Sequence, residues 1–188
     1  MAPPVRQDVL CAELARDAET LVRRARALAG EVSDQALRRP PPDGGWSAAQ
    51  VFEHLVVANE SYLVILRRVA ASSPRPAAPD AAWRPSFVGG VLVRSFASPR
   101  RLPAPRIYRP PEPRPDVIAA FAQGVEEMVG LMNRLAGADW RRVRTASPMS
   151  RWIRLNLGDC FPIIVRHAER HFRQIDRVLS SPGPSGTG

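Results

Sequence analysis

Apolar residues recur every three or four positions in four stretches of the chain, and between those stretches the period is lost. In the first, Leu10, Leu14, Ala18, Leu21, Val22, Ala25 and Leu28 fall on one face, which predicts a helix over residues 5–29 with Arg16, Arg23 and Arg26 turned to solvent. Gly30 marks where that helix weakens. A proline-rich turn at 38–46 follows, and Ser47 with Gln50 three residues on forms a capping box that opens a second helix. Its buried stripe is Val51, Leu55, Ala58, Tyr62, Ile65, Leu66 and Val69. A third helix is expected from Pro115, which suits a first turn, through Val117, Phe121, Val125, Met128, Leu131, Met132 and Leu135 to Gly137. The fourth is expected from Asp159 to Leu179, with Pro162 tolerable in its first turn and Ile164, Ala168, Phe172, Ile175 and Leu179 facing inward.

The connections carry information too. Residues 72–114 are rich in Pro and Arg and hold no sustained period, so they read as a long connection with a short ordered element around Phe87 to Phe96. A connection of roughly forty residues can cross a bundle from end to end, which allows the second and third helices to run parallel. The segment holding Trp140, Pro148 and Trp152 reads as a loop. The expectation is an all-α four-helix bundle occupying residues 5–179, with a long crossover between helices two and three. Residues 180–188 have the composition of a disordered tail. No internal repeat, glycine-rich phosphate loop or coiled-coil heptad is present.

Composition narrows the class without naming a function. A chain of 188 residues, 45% hydrophobic and 24% charged, suits one globular domain. A formal charge of +9 invites a nucleic-acid partner, but all 27 basic residues are arginine and stand in small scattered groups. No series of stacking aromatics is interleaved with them, which argues against single-strand binding. The lack of lysine excludes Schiff-base chemistry by a lysine nucleophile. Cys11 and Cys160 are far apart and form no CxxC pair, so neither a disulfide framework nor a zinc knuckle is suggested. No signal-peptide pattern and no membrane-length apolar run is seen, and the expected location is the cytoplasm.

The three histidines carry the candidate chemistry. His167 and His171 are four apart and so project from adjacent turns of one helix face, and His54 lies beside the buried stripe of another helix. Two imidazoles from one helix and one from a facing helix make a three-nitrogen site with a fourth position left open, the pattern of a catalytic zinc-type centre. The alternative is that they are buried histidines satisfied by carbonyls or carboxylates. Glu169 lies between the pair, about 200° round the helix from each, so it is badly placed as a metalloprotease-type base.

Gly45-Trp46-Ser47, then Gln50-Val51-Phe52-Glu53-His54-Leu55, and later His167-Ala168-Glu169-Arg170-His171-Phe172-Arg173-Gln174-Ile175, form a pattern that resembles the DinB-like (DinB/YfiT) superfamily. The stretch from Leu102-Pro103-Ala104-Pro105 to Pro110 is similar as well. The resemblance implies a four-helix bundle with a long crossover and, where metal is present, three histidine ligands from helices two and four. By position these are His54, His167 and His171. It further implies a divalent ion such as zinc or nickel, and an activity of thiol S-transferase or hydrolase type on a small-molecule substrate, in some members with a low-molecular-weight thiol. Family members often dimerise.

Three readings of function follow. The first is a metal-dependent enzyme activating a thiol or water at the open position. The second is a non-catalytic metal-binding or ligand-sensing bundle, and the third, from the family name and the arginine excess, is a DNA-damage-associated binding protein. Glu53 and Asp159 are candidate outer partners of the ligands, with a solvated helix charge or a cap as the simpler reading of each. Trp46, Tyr62 and Trp152 are candidate pocket walls, with core packing as the default. Cys160 is a candidate nucleophile, with a buried inert thiol as the simpler reading. Gln174 belongs to the motif without an evident physical role.

Overall fold

The computed structural model describes residues 3–42, 44–98 and 106–181. In chain order it contains β1 (Val5–Arg6), α1 (Gln7–Glu31), α2 (Asp34–Arg38), α3 (Ala48–Ala71), β2 (Ala82–Trp83), α4 (Phe87–Ala97), a single 3-10 turn (Arg106–Tyr108), α5 (Val117–Arg134), β3 (Arg144–Ser147), β4 (Ser150–Asn156) and α6 (Leu157–Leu179). The four long helices α1, α3, α5 and α6 are those the periodicity predicts, and they form the bundle. The Leu102–Pro105 stretch of the family pattern and all but the first two residues of the 180–188 tail lie outside the described residues.

Local chemistry sets the helix ends. Ser47 accepts from the Gln50 N–H while the Gln50 side chain accepts from Ser47, closing the predicted capping box. A second capping box starts α6: Asn156 accepts from the Asp159 N–H, and Asp159 accepts from the Asn156 N–H. The helix therefore begins two residues before the expected Asp159, and Pro162 lies in its second turn, where the Gly158 carbonyl loses its usual donor. Similarly, Val5 and Arg6 are drawn out of the expected first helix into pairing with Trp83 and Ala82, and α5 starts at Val117, after a turn at Pro115 and Asp116.

α1 and α3 each pack against both α5 and α6. Contacts along the helices give their directions. Phe52 meets Phe121 and Arg67 pairs with Glu127, so α3 and α5 run parallel, as the long crossover allows. Glu13 and Asp17 pair with Arg166 and Arg24 pairs with Asp176, so α1 and α6 are parallel too. Across the other two contacts the sense reverses: Arg26 pairs with Glu126 while Cys11 lies near Asn133, and Phe52 meets Phe172 while Tyr62 lies near Cys160. The bundle is thus up-down-down-up.

Its centre is a triangle of rings, Phe52, Phe121 and Phe172, with centroids 5.5–5.6 Å apart. Most of the expected stripe residues are buried, with Ile65, Val69, Leu28 and Leu179 only partly so, whereas Phe52 and Leu63 are core residues outside the expected second stripe.

The segment read as a loop around Pro148 is a hairpin. β3 and β4 pair antiparallel, with Thr145 opposite Leu155 and an irregularity between Ala146 and Ser147. Pro148 sits in its turn, off the ladder where its missing N–H does no harm. Within the crossover, α4 packs along α6 at the expected element, and it comes so close that a Cβ on Gly89 would overlap the Asp159 carboxylate. No helix among the described residues is long and apolar enough to cross a membrane.

Replacing Phe52 by Ala removes one side of the ring triangle at a fully buried position. The expected loss is about 3–5 kcal/mol of unfolding free energy, read from the shift of the urea midpoint at constant m.

Candidate metal centre

His54 occupies the second turn of α3, and His167 and His171 lie on successive turns of α6. The antiparallel contact of those helices brings one ring nitrogen of each histidine within 4.8 Å of the others. The ring centroids lie 5.1 Å (His54–His167), 4.6 Å (His54–His171) and 4.6 Å (His167–His171) apart. No backbone strain is involved, because the i, i+4 spacing and the ordinary packing of two helices suffice.

Two of the three rings are held from behind. The Nδ1–H of His54 donates to the Tyr108 carbonyl at 2.6 Å, and the Nδ1–H of His171 donates to Gln174 Oε1 at 2.9 Å. This network assigns the proton to Nδ1 in both, which leaves both Nε2 atoms unprotonated and able to accept or ligate. His54 Nε2 lies 3.2 Å from Nε2 of His167, so the inward edge of the cluster is built from ring nitrogens. Gln174, without a role in the sequence, thus orients His171 from one helical turn away.

Electrostatics keeps the cluster neutral. Burial lowers all three histidines, and crowding among the imidazoles reinforces it for the two on α6: His171 is brought down to about 3 and His167 well below its ordinary value. Neutral imidazoles with inward lone pairs suit a borderline divalent cation, and the group could hold a metal ion.

The surroundings are aromatic and basic. Trp46 packs on His54 with centroids 5.1 Å apart, and Phe96 of α4 packs on His167 at 5.0 Å. Phe96 is held there by α6 itself, since Arg173 donates to its carbonyl at 3.0 Å and Arg170 donates to the carbonyls of Ser95 and Ser98 at 3.3 and 2.5 Å. These cations meet the negative C-terminal end of α4.

The remaining candidates sort themselves by position. Glu53 is not part of the group that could hold the ion; it is buried and closes an ion pair with Arg114. Asp159 is the buried cap residue of α6 and also accepts from the Ser86 N–H. Tyr62 belongs to the core, and Trp152 is 80% exposed with Arg151 stacked on its ring, so neither walls the site. Cys160 is fully buried, and burial pushes its thiol far above the ordinary range. Phe96 and the Tyr108 carbonyl went unforeseen. Phe96 belongs to a short element whose docking depends on α6, and a carbonyl leaves no trace in a sequence. Gln174 was findable, because a polar residue three positions after a helical histidine stands within reach of its ring.

Comparison with known families agrees with this arrangement. The family model described as the DinB superfamily matches residues 18–175, which include all three histidines. No curated protein and no solved structure matched the chain.

The depressed histidine pKa values set a pH dependence for the metal-free protein. An unfolded histidine titrates near about 6.5, so below that pH the unfolded chain binds more protons than the folded one. The stabilisation is therefore complete above about 6.5 and is lost as pH falls toward the folded values, about 3 for His171. Between pH 7.5 and 5.0 the unfolding free energy should fall, and His171→Gln should remove on the order of 2 kcal/mol of that fall. Urea titrations of both proteins at the two pH values check this.

Proposed function

The chain belongs to the DinB superfamily, and from that premise we propose that it binds a divalent metal ion through His54, His167 and His171 and acts as an enzyme of thiol-transferase or hydrolase type. The observation that carries this reading is the convergence of three neutral imidazoles, two of them fixed by Nδ1–H hydrogen bonds so that Nε2 faces inward. A divalent ion bound there would supply Lewis acidity, bringing a thiol or water at its open position into its nucleophilic form near neutral pH.

The residues of the chain do the rest. Tyr108 and Gln174 hold the tautomers, which raises ligand basicity and fixes ring orientation. Trp46 and Phe96 give the cluster apolar flanks and restrict bulk water there. Among the described residues, the group that could hold the ion contains three histidines and no carboxylate or cysteine, which favours an open fourth position over a closed structural site. Cys160 is buried and inert, and Cys11 lies on α1 beside Asn133 of α5. A reacting thiol would accordingly come from a low-molecular-weight thiol in solution.

Elemental mass spectrometry of protein purified without an affinity tag tests the reading. The expected result is close to one divalent ion per chain in the wild type and none in His167→Ala, with thiol-dependent consumption of an electrophile in the wild type alone. Absence of metal from both, even after reconstitution, would overturn it. Gln174→Ala should keep the metal but bind zinc about 10–100-fold more weakly, measured by competition with a chelating dye.

A further inference from the structure

The segment leading into α5 touches the histidine cluster at one point and is tied down at several others. The Tyr108 carbonyl takes the His54 Nδ1–H, and the Tyr108 hydroxyl lies 3.3 Å from Ser61 Oγ, two turns further along α3. Six residues on, Arg114 closes on Glu53, the residue next to His54. Its backbone N–H donates to the carboxylate at 3.1 Å, and its guanidinium donates from Nε at 3.0 Å and from Nη2 at 2.8 Å. Arg38 of α2 adds hydrogen bonds to the carbonyls of Pro113 and Arg114. Pro110, Pro111, Pro113 and Pro115 stand between and beside these anchors. Each fixes one φ, so the run has little backbone freedom with which to absorb a displacement at Arg114.

Glu53 is an unusual helix charge. Its side chain is 2% exposed, while that of Arg114 is 43% exposed. An ionised carboxylate at such a depth is tolerated only with its partner in place. Consecutive side chains leave a helix about 100° apart, so a strap anchored on Glu53 passes over the neighbouring His54.

We propose that the Glu53–Arg114 pair is a positioning device: it clamps the strap of residues 108–114 so that the Tyr108 carbonyl fixes His54 as its Nδ1–H tautomer, with Nε2 directed at His167. Glu53 and Arg114 are positioning residues that act through Tyr108. The consequence for metal affinity rests on the metal-binding reading above, whereas the consequence for the His54 tautomer does not.

The test uses Glu53→Gln, Arg114→Gln, the double variant and Arg114→Lys, with Val125→Ala as a core variant that leaves the strap alone. Long-range nitrogen–proton NMR of the metal-free protein at pH 7.5 reads the tautomers, and chelator competition reads zinc affinity. The wild type should show His54 as Nδ1–H. In either Gln variant His54 should become a mixture of tautomers while His171, held by Gln174, stays Nδ1–H, and zinc affinity should fall about 10–100-fold. Because the pair acts as a unit, the double variant should be no weaker than the weaker single variant, and Arg114→Lys should recover part of the loss. Wild-type tautomer and affinity in the Gln variants would overturn the proposal, as would the same tautomer change in Val125→Ala. Should Arg114→Gln not fold, Glu53→Gln and Arg114→Lys decide by the same readouts. A wild type that takes up no zinc would remove the metal-binding reading, and the His54 tautomer would still decide the clamp.

Discussion

The contact between α3 and α6 at the level of Phe52 and Phe172 is the constraint from which the site follows. Phe52 precedes His54 by two positions and Phe172 follows His171 by one, and Phe121 completes the ring triangle. Because α3 and α6 are antiparallel there, the edge of the same contact carries His54 opposite both His167 and His171. The packing energy of three large rings thus fixes the spacing of three polar ones. A shift of one helix along the other by a single turn, about 5.4 Å, would separate the imidazoles altogether.

Bringing three imidazoles together in a desolvated space has an electrostatic cost that only neutrality avoids. Burial and mutual repulsion both act against protonation, and the nearby arginines add to it. One of them, Arg170, is instead directed together with Arg173 at the carbonyl end of α4, which seats Phe96 over His167. The protons that remain on His54 and His171 are drawn outward to Tyr108 and Gln174. Neutrality and tautomer together leave the Nε2 atoms of His54 and His171 unprotonated within the cluster.

How much of this was legible depends on the range of the interaction. α1, α3, α5 and α6 came through periodicity, because burial of one stripe repeats in register with the helix over five to seven positions. Ser47 and Gln50 announced a helix start because both partners lie within four residues. The β3–β4 hairpin was missed: Ile153 and Leu155 alternate with exposed Trp152 and Arg154, but so short a period-two signal is easily lost among arginines. Phe52 fell outside the expected stripe because α3 is buried on more than one face, meeting α5 and α6 at once. α2 is too short for any periodic signal, and its Arg38, which pairs locally with Asp34, also reaches the carbonyls of Pro113 and Arg114 only through the tertiary packing.

By itself the sequence determined the four long helices, the histidine spacing within α6, the capping box of α3 and the family pattern, since each is a matter of neighbours within a turn or two. Only the tertiary structure decided that Glu53 is a buried partner of Arg114, that the Tyr108 carbonyl holds His54, that Phe96 covers His167, and that Trp152 faces solvent. Those outcomes join residues from 54 to 71 positions apart, or rest on backbone atoms that every residue shares. The physical reason is the same in each case: a side chain's local propensity states which element it joins, and the partner it meets depends on how whole elements pack.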